Sequence, residues 1–218
     1  MKMYRFEHNK SPLPIGKIIC LARTYRKHAV EMRSTPPPNP ILFLKPASAV
    51  IFSGEAINYP YQSHCVHHEV EVGVVIGEKA RNISKQNALD VIEGYLVGLD
   101  ITARDIQTQA KKEGWPWSIA KGFDTFAPIS NVVSSENVSN PNDISFCLWV
   151  NSKLRQQGNT SQMIWDIETL ISYISSIMTL ESGDLILTGT PEGVSEIKVD
   201  DKITAELTGL IKLEVAVA

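Results

Sequence analysis

The sequence predicts a β-rich α+β fold, because segments with strand-like apolar spacing outnumber those with helical spacing and the two kinds do not alternate regularly. A regular strand-helix alternation would instead favour a doubly wound parallel sheet. The chain has 218 residues, of which 43% are hydrophobic, enough for an ordinary buried core. No linker composition divides it, so we predict a single domain over residues 1–218.

Strands are predicted where apolar residues alternate with polar ones, or where a short apolar run is bounded by turn residues. These segments are residues 15–22, 41–44, 69–76, 95–102, 144–150, 184–188 and the tail. Within the tail, residues 203–207 and 210–217 flank Thr208-Gly209, which predicts a hairpin. A second chain reversal is predicted at residues 151–153.

Helices are fewer. The clearest is predicted over residues 161–178, where apolar side chains such as Ile167, Leu170, Ile171 and Ile174 recur at helical spacing. Shorter helices are predicted over residues 25–33, 85–92 and 104–112, each with one apolar side. The proline cluster at residues 36–40 is typical of an exposed loop.

Composition excludes several classes of function. The 21 basic and 24 acidic residues give a net charge of -3 without a basic cluster, so we expect no nucleic-acid partner. No apolar run could span a membrane, and the first residues lack the apolar stretch of a secretory signal, so we expect no membrane association and a cytoplasmic location.

The three cysteines form no C-x-x-C pair and are expected to be reduced. The usual motifs for dinucleotides, nucleoside triphosphates, serine hydrolysis and zinc proteolysis are absent. Small-molecule chemistry is therefore favoured.

Two predicted strands place carboxylates opposite an apolar face. Residues 70, 72, 74 and 76 are apolar, so Glu69 and Glu71 point together to the other side. The strand at residues 95–102 repeats this pattern with Asp100. If the strands are neighbours, three carboxylates converge and need a cation, for which oxygen ligands of this kind suit Mg²⁺ or Mn²⁺.

Two other interpretations of these segments remain open at the sequence level. Glu69 and Glu71 could lie on a solvated strand face while Asp100 caps the turn before the helix at residue 104. Alternatively, His64, Cys65, His67 and His68 could hold zinc in a non-catalytic metal-binding protein.

A histidine and two lysines are further candidates. His28 and Glu31 are three residues apart, so on a helix they share a face and the carboxylate could orient the imidazole to activate water. A solvated helix-surface pair is the alternative. Lys45 and Lys121 adjoin apolar segments, where each could extend its ammonium to solvent or supply positive charge to an anionic substrate.

Seven blocks, in order along nearly the whole chain, resemble the short single-domain branch of the fumarylacetoacetate hydrolase family. Their residues are 23–31, 43–46, 67–77, 94–107, 120–124, 151–158 and 183–194. Two positions depart from the family pattern, since Ala22 and Thr24 stand where the family usually has Gly and Asn. Asn151-Ser152 likewise replaces the usual Asn-Gly turn.

The resemblance implies a mixed β-roll with peripheral helices, a homodimer and a divalent metal ion, Mg²⁺ or Mn²⁺, held by Glu69, Glu71 and Asp100. It further implies that His28 and Glu31 activate water and that Lys121 stabilises negative charge. Substrate contacts are implied for Arg23, Tyr25, Gln107 and Thr190.

The activity implied by the resemblance is a metal-dependent reaction of a small 2-oxo or 1,3-dioxo acid through a metal-stabilised enolate. Hydrolytic carbon-carbon cleavage of acylpyruvates is the first expectation. Tautomerisation or decarboxylation of oxaloacetate, and isomerisation of a 5-carboxymethyl-2-hydroxymuconate type of diacid, are the alternatives.

Overall fold

The computed structural model describes residues 2–6, 13–31, 35 and 37–218. Within these residues four α-helices form, namely α1 (Arg26–Glu31), α2 (Arg104–Glu113), α3 (Ser118–Gly122) and α4 (Ile167–Ile177). The first eight strands are β1 (Ile18–Ala22), β2 (Ile41–Lys45), β3 (Val50–Phe52), β4 (Ala56–Ile57), β5 (Val66–His68), β6 (Val70–Ile76), β7 (Ile92–Leu99) and β8 (Thr102–Ala103). The remaining strands are β9 (Ala127–Ile129), β10 (Val133–Ser134), β11 (Ser145–Val150), β12 (Lys153–Asn159), β13 (Leu185–Leu187), β14 (Ser195–Glu196), β15 (Lys202–Leu207) and β16 (Ile211–Val217).

The largest sheet brings together strands that are far apart in sequence. Its order is β2-β1-β13-β6-β7-β9-β3, with β10 also paired to β7. The β1/β13 and β3/β9 pairs are parallel, and the other pairs are antiparallel. The sheet is therefore mixed, and its centre joins the start of the chain to residues near 185.

Two smaller sheets complete the fold. One has the order β12-β11-β15-β16-β4 and contains both predicted reversals, the β11/β12 and β15/β16 hairpins. The other, β14-β5-β8, is short and lies in sequence beside the carboxylate segments. At the β11/β12 turn, Asn151 and Ser152 have φ angles of 50° and 63°, so the hairpin keeps left-handed backbone without glycine.

Both faces of the large sheet are buried. Alternate residues of β6, including Val72 and Val74, pack in the main core cluster with α4 and the five-stranded sheet. Val75, which points to the other face, packs with Ile18, Leu185 and Leu187 in a second cluster. Glu71 shares the face of Val75, so burial extends to the side on which the sequence placed the carboxylates.

The predicted β-rich α+β class is confirmed, with differences at several boundaries. The helix predicted over residues 161–178 begins at Ile167, where Asp166 caps it by accepting from Thr169 N–H at 2.9 Å. Before it, Thr160–Gln162 form a separate 3₁₀-helix whose C-cap is Met163. Residues 85–91 form a 3₁₀-helix. The strand predicted over 95–102 ends at Leu99, which leaves Asp100 beyond the strand.

For two other predictions, the structure describes only some of the residues concerned. The helix predicted over residues 25–33 is present as α1, and its last two residues lie outside the described residues. Residue 36 of the proline cluster also lies outside them. No helix in the described ranges is both long and apolar enough to cross a membrane.

Candidate active site

Two neighbouring strands bring three carboxylates together at one end of the large sheet. β6 pairs antiparallel with β7 so that Val70 lies opposite Leu99. Glu69 and Asp100 are therefore neighbours just beyond the paired ends, where the Asp100 N–H donates to the Glu69 carbonyl oxygen at 2.8 Å. One ligand oxygen each from Glu69, Glu71 and Asp100 lie within 4.8 Å of one another.

These carboxylates are buried, with exposed fractions of 6% for Glu69, 1% for Glu71 and 0% for Asp100. The interpretation of Glu69 and Glu71 as residues on a solvated strand face is therefore wrong. The alternative for Asp100 is also wrong, because its side-chain oxygens bind two lysines and Ala103, not Asp100, precedes the first turn of α2.

Three basic side chains surround two of the carboxylates. Lys121, on α3, donates to Glu69 Oε2 at 2.9 Å and to Asp100 Oδ2. Lys45, at the end of β2, donates to Asp100 Oδ1 at 2.7 Å and to the Ile101 carbonyl oxygen at 3.0 Å. Arg104 donates to Glu69 Oε1. Both lysines are buried, so neither extends its ammonium to solvent.

Glu71 has no such basic partner among the described residues. Its Oε2 accepts only the Gly189 N–H, at 2.7 Å. Burial, followed by the charges of Asp100 and Glu69, raises the pKa of Glu71 well above its usual value. Burial also opposes ionisation of Glu69, yet Lys121, Arg104 and His28 outweigh it and hold the pKa of Glu69 well below its usual value. The negative charge left uncompensated is therefore that of Glu71.

This donor set fits a small divalent cation. Two ionised carboxylates no more than 4.8 Å apart repel by at least about 3.5 kcal/mol at an effective dielectric constant of about 20. The oxygens come from carboxylates alone, which Mg²⁺ and Mn²⁺ prefer to softer ligands. Among the described residues, Tyr25 Oη and Arg104 Nε are buried without a hydrogen-bond partner, and of the two residues Arg104 lines the cleft.

His28 and Glu31 lie at the same cleft, on α1. His28 Nδ1 is 3.0 Å from Glu31 Oε2, and Glu31 Oε1 accepts the Gly193 N–H at 3.0 Å. The carboxylate is thus fixed by the loop after β13 and can keep the imidazole in one tautomer. His28 is only 7% exposed and lines the cleft beside Glu69 and Glu71, which differs from a solvated helix-surface pair.

A hydrogen bond joins the loop after β1 to the loop after β13, next to Glu71. Thr24 donates from Oγ1 to the Thr188 carbonyl oxygen at 2.7 Å. Gly189 has a φ of 97°, and a Cβ there would lie 1.9 Å from Thr24 Oγ1. Thr24, one of the departures from the family pattern, therefore has a structural contact of its own. Glycine at 189 allows both that contact and the N–H donated to Glu71.

The other predicted substrate residues also lie around the cleft. Arg23, Gln107 and Thr190 line it together with His28, Lys121 and the two glutamates. Thr190 already donates to the Val70 carbonyl oxygen at 2.8 Å, and Gln107 Oε1 accepts from Arg104 at 2.8 Å. Tyr25 is 1% exposed, behind the lining. The structure thus brings the predicted site residues into one region.

Two polar residues of this region, Arg104 and Gln156, had no predicted role. Arg104 binds Glu69, as described above. Gln156 is buried, accepts the Val70 N–H at 3.1 Å and donates to Thr190 Oγ1 at 2.8 Å. Arg104 is three residues before Gln107, a spacing that places both on one helix face and could have indicated it. Gln156 follows no local pattern, since its contacts are with residues at least 34 positions away.

The zinc alternative finds no support in the described part of the chain. There, Glu69, Glu71 and Asp100 form the only group of three or more potential ligands close enough to share an ion. His68 is bonded through both ring nitrogens, to Gln156 Oε1 and Ser195 Oγ, each at 2.8 Å. Cys65 Sγ lies 3.3 Å from His67 Nε2, and His68 takes no part in this contact. His67 and His68 point to opposite sides of β5, so they cannot converge.

Comparison with known proteins places this geometry in a family. Residues 17–218 match the model of the fumarylacetoacetate (FAA) hydrolase C-terminal domain. The oxaloacetate tautomerase FAHD1, mitochondrial, of Arabidopsis thaliana is 48% identical over 198 residues, covering 91% of this chain and 89% of that protein.

Solved structures have the same fold. The fumarylpyruvate hydrolase of Pseudomonas aeruginosa, in complex with Mn²⁺ and pyruvate, superposes with a TM-score of 0.95 at 34% identity, covering 100% of this chain and 95% of that one. The 5-carboxymethyl-2-hydroxymuconate delta-isomerase of Mycobacterium smegmatis gives a TM-score of 0.84 at 37% identity, covering 95% and 80%. The predicted resemblance and fold are confirmed: the chain belongs to the fumarylacetoacetate hydrolase family.

Proposed function

We propose that this protein is a divalent-metal-dependent enzyme that acts on small 2-oxo acids, with Glu69, Glu71 and Asp100 as ligands of Mg²⁺ or Mn²⁺. The observation that supports it most is the buried carboxylate cluster in which Glu71 has no basic partner among the described residues. The Mn²⁺ and pyruvate of the Pseudomonas aeruginosa relative agree with such a metal and such a substrate. Mg²⁺ is our first choice because its open positions can be taken by substrate oxygens.

The bound metal would supply Lewis-acid polarisation of the oxo-acid oxygens and stabilise an enolate. Lys121 lies against Glu69 and Asp100, where its ammonium adds positive charge beside the same oxygens. Burial tends to lower the pKa of Lys121, but Asp100 and Glu69 outweigh it and raise that pKa, so the side chain stays charged. Arg23, Tyr25, Gln107 and Thr190 would orient the substrate.

Hydrolytic cleavage of acylpyruvates is the reaction that the His28-Glu31 pair favours. His28, held by Glu31, would take a proton from water as the water oxygen bonds to the distal carbonyl carbon. The carbon-carbon bond next to that carbon would then break, its electron pair passing to the enolate of pyruvate. Protonation of that enolate gives pyruvate, and the acyl fragment leaves as a carboxylic acid.

Tautomerisation or decarboxylation of oxaloacetate is the second candidate. It is favoured by the 48% identity to a relative named oxaloacetate tautomerase. The same cleft could serve it, since proton exchange at the carbon next to the oxo group also proceeds through an enolate. Double-bond isomerisation, the activity named for the Mycobacterium smegmatis structure, is a third.

A panel of three substrates separates these reactions. Acetylpyruvate, fumarylpyruvate and oxaloacetate would be assayed with Mg²⁺ and with Mn²⁺, following cleavage, carbon dioxide release and enol absorbance separately. We expect metal-dependent turnover of at least one substrate, lost on chelation and restored by the metal. No turnover of any of them with either metal would contradict the proposal.

We also propose a homodimer, one domain and a cytoplasmic location. An exposed apolar surface supports the dimer: Leu44, Trp115 and Ile119 are 48%, 59% and 67% exposed and lie on β2, just after α2 and on α3. Sedimentation equilibrium should give twice the mass of 24.2 kDa, and a monomer at micromolar concentration would contradict the dimer. The substitution Ile119→Glu should shift the protein towards monomer, because it places a charge on this apolar surface.

A further inference from the structure

The outer wall of the cleft contains positive charge that the carboxylate cluster does not use. Arg104, Gln107 and Lys111 follow one another at spacings of three and four on α2, so they share the helix face that lines the cleft. Arg104 binds Glu69 at the inner end. Lys111, at the outer end, forms no ion pair with any carboxylate of the described residues.

The side chain of Lys111 lies against an aromatic ring of the cleft. Its Nζ lies 5.2 Å from the centre of the Trp117 ring, within the range of a cation-π contact. The Trp117 ring in turn packs against Phe43 with 5.6 Å between ring centres. Both rings line the cleft together with Lys111.

Arg23 adds a second charge of this kind. It lines the same cleft and has a φ of 61°, which sets its position at the turn after β1. Within the described residues it too has no carboxylate partner. By contrast, Lys45, Lys121 and Arg104 each form an ion pair with Glu69 or Asp100, so among the described residues of the cleft the cations without a carboxylate partner are Arg23 and Lys111.

We propose that Lys111, with Arg23, forms a second anion subsite that binds the distal carboxylate of a 2-oxo dicarboxylate. This inference rests on the proposed function, in which the first carboxylate and the oxo group lie at the metal. It assigns Lys111 as a residue that selects dicarboxylic over monocarboxylic oxo acids. The physical basis is a cation without a carboxylate partner among the described residues, held against the Trp117 ring at the cleft wall, where it can form a charge-assisted hydrogen bond with a ligand carboxylate.

The pH dependence follows from the same surroundings. Burial, then the positive charges of Arg104 and Arg23, lowers the pKa of Lys111 to about 8, against opposing attraction from Glu69. Lys121 also faces this region and lowers the pKa further. Lys111 therefore loses its charge as the pH rises through about 8, and the preference for dicarboxylates should fall over the same range.

The test measures binding of two inert ligands that differ only at the distal end. L-malate and 2-hydroxybutyrate share a 2-hydroxy acid head and a four-carbon chain, and only malate has a second carboxylate. Calorimetry on the Mn²⁺-loaded protein at pH 7 should give a lower Kd for malate. We expect Lys111→Met to raise the Kd for malate at least about 10-fold and to leave that for 2-hydroxybutyrate within about twofold.

Two variants serve as controls. Lys112→Met removes the adjacent exposed lysine, which does not line the cleft, and should leave both Kd values unchanged. Lys111→Arg should keep the malate preference and extend it above pH 8, because the guanidinium stays charged. Three results would overturn the subsite: no malate preference in the unsubstituted protein, an unchanged malate Kd in Lys111→Met, or an equal loss for both ligands.

Failure of the subsite and failure of the proposed function give different results. If the protein turns over oxo acids but Lys111→Met affects acetylpyruvate and oxaloacetate equally, the function stands and the subsite is wrong. If malate binding depends on Lys111 but no oxo acid is turned over with either metal, the subsite stands and the proposed reaction is wrong.

Discussion

Replacing Glu71 with Gln is expected to weaken Mn²⁺ binding by at least about 100-fold and to abolish metal-dependent turnover. Glu71 is the one carboxylate of the cluster without a basic partner among the described residues, so its charge is available to the ion. The amide keeps the side-chain volume and can still accept the Gly189 N–H. Calorimetric or electron paramagnetic resonance titration with Mn²⁺ would measure the change.

The same variant should have a second, opposite effect on the metal-free protein. In the metal-free protein, burial and the charges of Asp100 and Glu69 oppose ionisation of Glu71, and the neutral amide removes that cost. We therefore expect metal-free Glu71→Gln to melt at a higher temperature than the unsubstituted protein. Glu78→Gln, at an exposed position after β6, is the matched control and should change neither property. Undiminished Mn²⁺ affinity in Glu71→Gln would remove Glu71 from the ligand set.

Replacing His28 with Ala is expected to lower the kcat for fumarylpyruvate cleavage by about 100-fold to 10,000-fold while leaving the Mn²⁺ affinity unchanged. The imidazole is 3.0 Å from Glu31 and contacts no carboxylate of the cluster through a hydrogen bond. Its loss should therefore affect proton transfer and not metal binding. Oxaloacetate tautomerisation should respond less, because another base can exchange a single proton.

Two further variants separate the base from its orienting partner. Glu31→Gln should lower cleavage less than His28→Ala, since the imidazole remains but is no longer held by a charge. His64→Ala, at an exposed histidine outside the cleft, should behave like the unsubstituted protein. Full cleavage activity in His28→Ala would show that water is activated by another group.

The sequence predicted the carboxylate geometry better than its surroundings. Strand alternation is a local property, so it correctly placed Glu69 and Glu71 on one side of a strand. Burial of that side could not be read from the alternation, because it depends on distant parts of the chain. β13 pairs with β6 and β1 pairs with β13, and both strands are more than 45 positions from β6 in sequence.

The basic residues around the cluster were harder to predict for the same reason. Lys121 lies on a helix of five residues, too short for a periodic pattern, and Lys45 is a single polar residue at the end of an apolar run. Whether each lysine reaches solvent or a buried carboxylate is decided by contacts 21 and 55 positions away. The order of family blocks supplied what these local patterns could not, namely the β-roll and the expected role of Lys121 in charge stabilisation, which stays a prediction.

The helix boundaries illustrate a further limit of periodicity. Apolar residues from 163 onwards continue the helical spacing, yet residues 163–166 are not helical and the Ile164 N–H donates to the Thr24 carbonyl oxygen at 2.7 Å. This long-range hydrogen bond ties the segment to the loop behind Glu71. The apolar spacing there reflects packing of Met163 and Trp165 against the core and not a helix.

The most direct test of the central claim is an anomalous difference map from crystals of the protein grown with Mn²⁺. The carboxylate cluster predicts one strong peak within bonding distance of oxygens from Glu69, Glu71 and Asp100, and loss of that peak in Glu71→Gln. A peak at other residues, or none in crystals soaked at millimolar Mn²⁺, would contradict the metal site and with it the proposed oxo-acid chemistry.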